Sequence, residues 1–431
     1  MLDIQFIRDN PELVEEKSKQ KGYKVDVSKL LEVDKDRKET LNLLESARAE
    51  RNEHSNSLKN GKPSQEQIKK GIELKEAVLS LEKKLQPLEA EYIEKLKLIP
   101  NMPIQDVPVG ESEDDNVVVK TVGEIPKFDF EVKNHAQIAE AKGWIDKERA
   151  TKVAGTRFAY LKGDLVLLWQ ALVSFGLSQL MNQELITKVV EQNKLKVSDK
   201  PFTPVAPPLM IKTDMYDAMD RLEPSDDRYK IEGEELWLQG SAEHVLGSMH
   251  ADELIDISDL PIRYLGTATS FRKEAGTYGK DMEGIIRMHQ FDKLEMVSLS
   301  DQDSSYDEHL LMIAIQEHLM QQLGLPYRLL NKCTADIGKP NAHGVDIDVW
   351  LPGQDKYRET HTADFMTDYQ SRRLKTRYKT SDGIVKLVHN NDATAFSQRP
   401  LIGIIENFQT KEGDVLVPEV LKPFMGGRDR I

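Results

Sequence analysis

Two long charged segments, separated by a short break, constrain most strongly what this chain can fold into. Residues 27–58 and 64–99 are rich in Glu, Lys, Leu, Ala and Gln, and neither segment contains Phe or Trp. Leucines recur in both at the three- and four-residue spacings of one helical face, as Leu81, Leu85 and Leu88 illustrate. Narrow apolar stripes of this kind predict two long helices that pack against each other.

The break between these segments predicts a hairpin. Its sequence, KNGKPSQEQ, contains Gly61 and Pro63, which interrupt a helix, and Ser64 with Gln67, which resemble a capping box at the start of the next helix. Two helices joined by so short a turn run antiparallel, and at about 1.5 Å per residue the arm projects roughly 50 Å.

The charge on this arm has two interpretations. Residues 46–84 contain nine Lys and Arg against six Asp and Glu, a local net charge of +3 in a chain whose net charge is −14. A lever that contacts nucleic-acid phosphates needs such a surface. A coiled coil with a solvated outer face carries similar charge, and the residues alone leave both interpretations open.

The rest of the chain has a different texture. Prolines and an acidic run predict a linker over residues 104–115, and short mixed helices and strands follow, including an amphipathic, buried helix over 165–184. We therefore divide the chain into a helical arm (1–103), the linker and a second domain (116–431).

Alternation of apolar and polar residues with a period of two predicts the strands of this second domain. The predicted strands lie within residues 237–249, 262–274, 285–299, 344–353 and 356–365, and prolines predict an extended segment over 202–210. Together with the helices they predict an α+β fold on a mainly antiparallel sheet flanked by helices.

Composition excludes several classes of protein. The single cysteine, Cys333, excludes an intramolecular disulfide framework and a thiolate-rich zinc site. No stretch approaches 18 uncharged apolar residues, and the first residues, MLDIQFIRDNPELVEEK, are too acidic for a signal peptide. We therefore expect a cytoplasmic protein without a membrane partner.

Candidate ligand-binding residues are concentrated in residues 271–297, FRKEAGTYGKDMEGIIRMHQFDKLEMV. Residues two apart in a strand share a face, so Ser270, Arg272 and Glu274 are predicted to point the same way. On a returning strand the same holds for Arg287, His289, Phe291, Lys293 and Glu295. Guanidinium forks suit phosphate and carboxylate oxygens, and an aromatic ring beside an arginine can hold a flat base. An exposed hairpin with cross-strand ion pairs has the same pattern, so the pattern alone leaves both readings open.

The same stretch resembles motif 2 of class II aminoacyl-tRNA synthetases, in the form found in seryl-tRNA synthetases. The segment PFTPVAPPLM is similar to motif 1 of that family, and GSAE is similar to its Thr-Ala-Glu segment. The runs CTADIGKPNAHGVDIDVWLPGQDKYRE and IIENFQTKEGDVLVPEVLKPFMGG also resemble family sequence, the latter around motif 3. The resemblance covers nearly the whole chain, and the motifs occur in the family's order.

This resemblance implies a function. Family members are homodimers that join serine to ATP, release pyrophosphate and pass the seryl group to the 3′ end of serine tRNA. In the family the helical hairpin, here residues 27–99, binds the long variable arm of that tRNA. The partners it implies are serine, serine tRNA and a second copy of the chain, with Mg²⁺ accompanying ATP.

The resemblance also implies an ATP site. Arg272 would contact the serine carboxylate and the α-phosphate, Phe291 would stack on adenine, and Arg287 would hold the triphosphate. Glu359 and Thr362 lie where the family has a carboxylate and a hydroxyl near magnesium. The full set implied for ATP is Arg272, Lys273, Glu274, Arg287, Phe291, Glu359, Thr360, His361, Thr362 and Arg399.

For serine, the resemblance implies a second set of residues. Glu243 and Glu295 would hold the ammonium and hydroxyl groups, and Ser241 replaces the family's threonine. The full set is Ser241, Ala242, Glu243, Arg272, Glu295, Asn391, Ala393 and Thr394.

The sequence departs from the family at this second set. Ala393 stands where the family has a serine-contacting hydroxyl, and a one-residue shift would bring Thr394 to that place. His361 and Asp364 occupy positions that usually carry small polar residues. These changes leave two alternatives to a serine-specific enzyme: a synthetase-fold enzyme with another small amino acid or carrier as substrate, or a non-catalytic RNA-binding paralogue.

Overall fold

A computed structural model describes residues 1–58, 63–274 and 284–431 of the chain. The described chain forms two compact units, residues 1–102 and 103–431. The Gly61 turn and the GTYGK segment at 276–280 lie outside the described residues.

The first unit is helical. Its helices are α1 (Ile4–Asp9), α2 (Pro11–Gln20), α3 (Val27–Ser57) and α4 (Gln65–Leu98). The predicted capping box is present, because Gln67 N donates to Ser64 Oγ at 3.2 Å and Ser64 N donates to Gln67 Oε1 at 2.8 Å. Helices α3 and α4 begin and end within one residue of the predicted segments, 27–58 and 64–99.

Helices α3 and α4 pack antiparallel. The Arg37 guanidinium lies 4.3 Å from the centre of the Tyr92 ring, and the Lys70 ammonium lies 3.1 Å from the Glu50 carboxylate. Contacts thus move towards the start of α4 as they move towards the end of α3. Leu44, Val78 and Leu85 form the buried seam between the helices.

The second unit contains the remaining elements. Its strands are β1 (Val117–Val122), β2 (Ile145–Asp146), β3 (Tyr160–Leu161), β4 (Thr203–Val205), β5 (Met210–Lys212), β6 (Leu236–Leu238), β7 (Leu254–Asp256), β8 (Ile262–Phe271), β9 (Gln290–Ser300), β10 (Tyr327–Asn331), β11 (His343–Leu351), β12 (Lys356–Phe365), β13 (Arg377–Lys379), β14 (Val385–Leu387) and β15 (His389–Ser397). Its helices are α5 (His135–Ala141), α6 (Lys147–Ala154), α7 (Asp164–Leu180), α8 (Gln183–Gln192), α9 (Thr213–Ala218), α10 (Ala242–Gly247), α11 (Ser305–Leu323), α12 (Ser371–Leu374) and α13 (Arg399–Asn407).

A mainly antiparallel sheet organises this unit, as the sequence predicted. Its eight strands run in the order β1-β10-β11-β12-β15-β9-β8-β4. Every neighbouring pair is antiparallel except β4 with β8, which is parallel. The strand order does not follow the chain order. Strands β9 and β15, which are far apart in sequence, are therefore neighbours at the centre of the sheet.

The two faces of the sheet have different neighbours. Leu294 and Met296 of β9 are fully buried in the main core, to which α7, α11 and α13 contribute apolar side chains. Val297 points to the other face and packs with Ala242 and Leu246 of α10. Because side chains alternate along a strand, the odd-numbered residues of β9 are turned away from the main core.

Several local predictions need correction. Residues 237–249 were expected to form a strand, but only the end of β6 is extended there and α10 follows. Strand β8 ends at Phe271 and β9 begins at Gln290, so Arg272, Glu274, Arg287 and His289 lie beyond the paired residues. The prediction that all of them alternate along two strands was therefore wrong.

The segment predicted as a linker is bonded to the second unit. Ile104 N donates to the Ala342 carbonyl at 2.9 Å, and Thr334 N donates to the Pro108 carbonyl at 2.8 Å. These two hydrogen bonds hold the backbone of the segment against the second unit, so it is not an unattached linker.

Within the described ranges, no single helix is both long and apolar enough to cross a bilayer. Helices α7 and α8 meet the length and composition criteria only as a pair bent by 72°.

Candidate active site

A cleft opens on the α10 side of the sheet, over β8, β9, β12 and β15. It brings together most of the predicted residues from both sets. From the ATP set, the cleft is lined by Arg272, Glu274, Arg287, Phe291, Glu359, Thr360, Thr362 and Arg399. From the serine set, it is lined by Arg272, Glu243, Glu295 and Thr394.

Arg272 is fixed from two sides just after β8 ends. Its Nε donates to the Gly240 carbonyl at 3.0 Å, and its guanidinium carbon lies 5.3 Å from the centre of the Phe291 ring. Its backbone pairs with His289, whose carbonyl accepts from Arg272 N at 2.9 Å. The remaining guanidinium nitrogens of Arg272 are thus presented beside a flat aromatic face.

Glu274 reaches the cleft through an unusual backbone conformation. Its φ is 54°, in the left-handed region that a residue with a side chain seldom adopts. The chain therefore turns immediately after Arg272, and the Glu274 carboxylate forms an ion pair with Arg287. The predicted convergence of Glu274 and Arg287 is therefore achieved by this turn rather than by alternation along two paired strands.

A β-bulge arranges the opposite wall. Asp346 lies opposite Thr362 and Asp348 lies opposite Glu359, so β12 contains one more residue than β11 between these pairs. In a regular strand, residues three apart point to opposite faces. The extra residue lets both Glu359 and Thr362 line the same cleft.

Glu359 is paired with Arg399 at the start of α13. Arg399 Nη1 lies 2.9 Å from Glu359 Oε1 and donates to the Glu359 carbonyl at 3.0 Å. Desolvation by the cleft walls favours the protonated acid although the Glu359 side chain is 48% exposed, but Arg399 and Lys332 outweigh it and lower the pKa of Glu359 to about 2. Glu359 is therefore an ionised oxygen donor at neutral pH.

The oxygen groups around Glu359 fit a hard cation. Thr362 Oγ1 donates to Asp346 Oδ1 at 2.8 Å, and its lone pairs remain as acceptors on the cleft face. Burial raises the pKa of Asp346 to about 8, although Lys332 lies 3.5 Å away. A carboxylate with a neighbouring hydroxyl is the donor chemistry that Mg²⁺ takes alongside phosphate oxygens.

Strand β15 resolves the question raised by Ala393. Asn391 and Ala393 face the main core: Asn391 Nδ2 donates to the Ser305 carbonyl at 3.0 Å, and Ala393 is fully buried in the core cluster. Asp392 and Thr394 point the other way and line the cleft. Thr394, and not Ala393, therefore lies on the cleft face, opposite Glu295.

Buried acidic groups line the inner end of the cleft. Ser241 Oγ lies 3.2 Å from Glu243 Oε2 and 3.5 Å from Glu295 Oε2, and Glu295 forms an ion pair with Lys293. Burial raises the pKa of Glu295 to about 7, against the effect of Lys293. Burial also opposes the ionisation of Glu243, but Arg221 outweighs it and holds the pKa of Glu243 well below its usual range.

The sequence analysis missed several lining residues. The polar residues outside both predicted sets are Arg221, Lys293, Asp364, Asp392, Ser397 and Gln398, and the apolar residues include Ile285, Ile286 and Met288. The alternation along β9 placed Lys293 on the same face as Phe291 and Glu295, but Lys293 was assigned to neither set. For Arg221, which lies 69 residues before the start of β9 and outside any motif, we find no signal in the sequence.

Some predicted residues do not line the cleft. Lys273 is exposed, with its ammonium 5.5 Å from the centre of the Tyr229 ring. His361 faces the core, where its Nε2 donates to the Ala395 carbonyl at 3.1 Å and burial lowers its pKa to about 4. Ala242 is buried against β8 and β9, and Ser241 reaches the cleft residues only through its hydroxyl.

Comparison with known families matches both units. Residues 228–408 match the tRNA synthetase class II core domain (G, H, P, S and T), a range that includes the cleft-lining residues apart from Arg221. Residues 1–103 match the seryl-tRNA synthetase N-terminal domain. The fold and cleft are thus those of a class II aminoacyl-tRNA synthetase.

Whole-chain relatives narrow the class to one family. The chain is 35% identical to the serine–tRNA ligase of Nitrosopumilus maritimus, with 100% of both chains covered, and 38% identical to that of Thermodesulfovibrio yellowstonii, with 99% of both covered. Its fold matches the crystal structure of Pyrococcus horikoshii seryl-tRNA synthetase complexed with ATP, with a TM-score of 0.88, 35% identity, and 100% and 99% coverage. The chain belongs to the seryl-tRNA synthetase family.

Proposed function

We propose that the cleft joins serine to ATP, releases pyrophosphate and then transfers the seryl group to the 3′ end of serine tRNA. The position of Arg272 carries this proposal. Its guanidinium carbon lies 5.3 Å from the centre of the Phe291 ring, and it lines the same cleft as the acidic residues Glu243 and Glu295. A nucleotide base on the aromatic side and an amino acid on the acidic side would meet at that guanidinium.

The activation step needs little acid–base chemistry. The serine carboxylate is already a nucleophile, so its oxygen attacks the α-phosphorus directly and the bond to pyrophosphate breaks. Arg272, held by Gly240 at 3.0 Å, stabilises the charge that develops at phosphorus. Arg287 and Arg399 line the same cleft and bind the phosphate oxygens of ATP. Positioning supplies most of the remaining acceleration.

Glu359 and Thr362 would hold Mg²⁺. When bound, Mg²⁺ neutralises charge on the phosphates and on departing pyrophosphate. Arg399 fixes the Glu359 carboxylate at 2.9 Å, and the bulge in β12 brings the Thr362 hydroxyl to the same face. The segment ETHTADF (359–365), which departs from the family at His361 and Asp364, therefore keeps the two oxygen groups at the cleft.

Serine selection rests on Thr394 and Glu295. Both line the cleft and lie opposite each other on adjacent strands. A pocket whose buried polar groups hydrogen-bond a substrate hydroxyl rejects analogues that lack it, by about four to five decades in the strongest cases. This favours serine over alanine or glycine and argues against an altered amino-acid choice.

Pyrophosphate exchange into ATP tests this function. Serine, threonine, alanine, glycine and cysteine would be compared in parallel, and we expect a strong signal with serine alone. A preference for alanine or glycine would mean that Thr394 does not replace the lost hydroxyl. The absence of exchange with every amino acid would favour a non-catalytic paralogue.

The helical arm is the proposed tRNA-binding domain. Residues 1–103 would form this domain, 104–115 the connection and 116–431 the catalytic domain. Exposed lysines along α4, including Lys69 and Lys83, supply positive charge for the backbone of the tRNA variable arm.

A homodimer is the proposed working form. The support is the likeness of PFTPVAPPLM to motif 1, together with the exposure of Leu209 (40%) and Met210 (46%) at its end. Analytical ultracentrifugation across protein concentration tests it, and a chain that stays monomeric at micromolar concentration would contradict it.

A further inference from the structure

Three carboxylates meet at the inner end of the cleft. One oxygen each from Glu243, Glu295 and Asp392 lies within 4.8 Å of the other two. Glu243 and Glu295 are part of the family's serine site, but no motif of the sequence assigns a role to Asp392. It is this third carboxylate that needs an explanation.

Asp392 is buried, and one of its oxygens remains available. The residue is 4% exposed and lines the cleft. Among the described residues its Oδ2 has no hydrogen-bond partner, and Arg221 Nη2 lies 3.9 Å away, beyond hydrogen-bond distance. A buried carboxylate oxygen without a partner is costly, so a site that keeps one is expected to bind a donor from outside the chain.

The other two carboxylates already have partners. Glu243 Oε1 lies 3.1 Å from Arg221 Nε, and Glu295 is paired with Lys293. Asp392 is therefore the member of the group with the greatest unmet capacity to accept a hydrogen bond. Burial and the nearby Glu243 and Asp364 carboxylates raise its pKa well above the usual range, which is the expected effect of missing positive charge.

The spacing of the three oxygens suits an ammonium group. Three points no more than 4.8 Å apart share a centre within about 2.8 Å of each, the length of a charge-assisted N–H···O bond. An ammonium group has three donors, one for each oxygen. The Lys293 and Arg221 cations beside the group would oppose a divalent ion more strongly than a singly charged one.

We propose that Asp392 is a specificity-determining residue that binds the α-ammonium group of serine, completing a site of three carboxylates with Glu243 and Glu295. This assignment rests on the proposed function, because the amino acid must enter the cleft with its carboxylate at Arg272.

Three non-hydrolysable adenylate analogues test the assignment. They are the sulfamoyl adenosines of serine, of alanine, which lacks the hydroxyl, and of 3-hydroxypropionate, which lacks the ammonium. Their dissociation constants would be measured by calorimetry on the full chain, for the wild type and for Asp392→Asn. The variant keeps the shape of the side chain but cannot ionise when the ammonium binds.

We expect the variant to lose preference for the ammonium alone. The ratio of affinities for the seryl and hydroxypropionyl analogues should fall by about ten- to hundredfold, the effect of one hydrogen bond between charged groups. The ratio for the seryl and alanyl analogues should stay within about threefold, which is small for a lost charged contact. Asp259→Asn, at an exposed position on another surface, should leave both ratios unchanged.

Other outcomes overturn the assignment. A fall in the seryl-to-alanyl ratio would make Asp392 a hydroxyl acceptor, and equal weakening of all three analogues would make its role structural. If Asp392→Asn does not fold, Asp392→Ser provides the same ratios. Failure of the wild type to bind any analogue would instead overturn the proposed function.

Discussion

Arg221 Nε lies 3.1 Å from Glu243 Oε1 at the inner end of the cleft. The same guanidinium lies 3.7 Å from Asp364 and 3.9 Å from Asp392. Burial alone would drive these acids towards their neutral forms, yet Arg221 holds the pKa of Glu243 well below its usual range. Arg221 therefore positions and keeps ionised a residue of the proposed serine site without belonging to any recognised motif.

Replacing Arg221 with methionine should impair serine recognition. Glu243 would lose its cation and tend to take up a proton, so it would become a weaker acceptor for the serine ammonium. We expect kcat/KM for serine in pyrophosphate exchange to fall by about ten- to hundredfold, the value of a charged hydrogen bond. The KM for ATP, whose proposed contacts lie on the other side of Arg272, should change by less than about threefold.

Arg377→Met is the matched control for this variant. Arg377 forms a surface ion pair with Asp252 at 3.4 Å, and exposed pairs of this kind contribute little. Equal losses for serine and ATP in Arg221→Met would indicate a general disturbance of the cleft and contradict the specific role.

Serine binding should depend on pH through Glu295. The pKa of the free group is about 7, and an ammonium bound beside it favours the ionised form and lowers that pKa. Below pH 7 serine must therefore displace a proton, so its affinity should fall by up to about tenfold per pH unit. Above pH 7 the contribution of Glu295 should be constant.

Serine KM measured from pH 5.5 to 8.5 checks this prediction. Glu295→Gln should bind serine more weakly throughout and lose the part of the decline centred near pH 7. Glu419→Gln, whose side chain is 85% exposed, should keep the wild-type profile. An unchanged profile in Glu295→Gln would assign the titration to another group.

The position of a site residue could be predicted from the sequence where the backbone is a regular strand, and could not where the strand ends or turns. Phe291 and Glu295 follow regular alternation along β9, so period-two reasoning placed both on the cleft face correctly. The same reasoning failed for Arg272 and Glu274, because the strand ends at Phe271 and Glu274 turns the chain with a positive φ. The convergence of these residues was nevertheless predicted correctly.

Bulges and long-range contacts account for what sequence reasoning missed. Glu359 and Thr362 share a face because β12 contains a bulge. No residue type in this part of the sequence indicates that bulge. For Ala393 the comparison of motifs suggested the cleft, but alternation along β15 puts it in the core and presents Asp392 and Thr394 instead. Arg221 comes close to Glu243, Asp364 and Asp392 only through the tertiary fold, so no local sequence pattern indicates these contacts.

The Arg399–Glu359 pair should be sensitive to the shape of the cation. Lysine keeps the charge but lacks the planar fork that both bonds Glu359 and presents nitrogens to phosphate oxygens. We expect Arg399→Lys to lower kcat/KM for ATP by about ten- to hundredfold, the range of charge-assisted bonds, with little change in serine KM. Pyrophosphate exchange at varied ATP concentration measures this effect.

Arg428→Lys serves as the control for this substitution. Arg428 also forms an ion pair, with Asp164, but its side chain is 49% exposed and lies away from the cleft-lining residues. If Arg399→Lys matches this control, Arg399 does not contact ATP in the way that we propose.

Charge reversal on α4 should separate tRNA binding from amino-acid activation. Lys69 and Lys83 are exposed and fourteen residues apart, close to four helical turns, so they share one face of the helix. In Lys69→Glu/Lys83→Glu we expect the KM for serine tRNA to rise by at least about tenfold, because two phosphate contacts are replaced by repulsion. Serine-dependent pyrophosphate exchange, which needs no tRNA, should be unchanged.

The salt dependence of tRNA binding gives an independent measure of the same contacts. Each lost phosphate contact should reduce the slope of log affinity against log salt by roughly 0.7 to 0.9. Lys379→Glu/Lys411→Glu, at two exposed sites on the second unit, makes the same change of −4 in net charge and should retain the wild-type slope. An unaltered tRNA KM and slope in the double variant would mean that this face of α4 is a solvated surface, and the tRNA contact would then have to lie elsewhere on the arm.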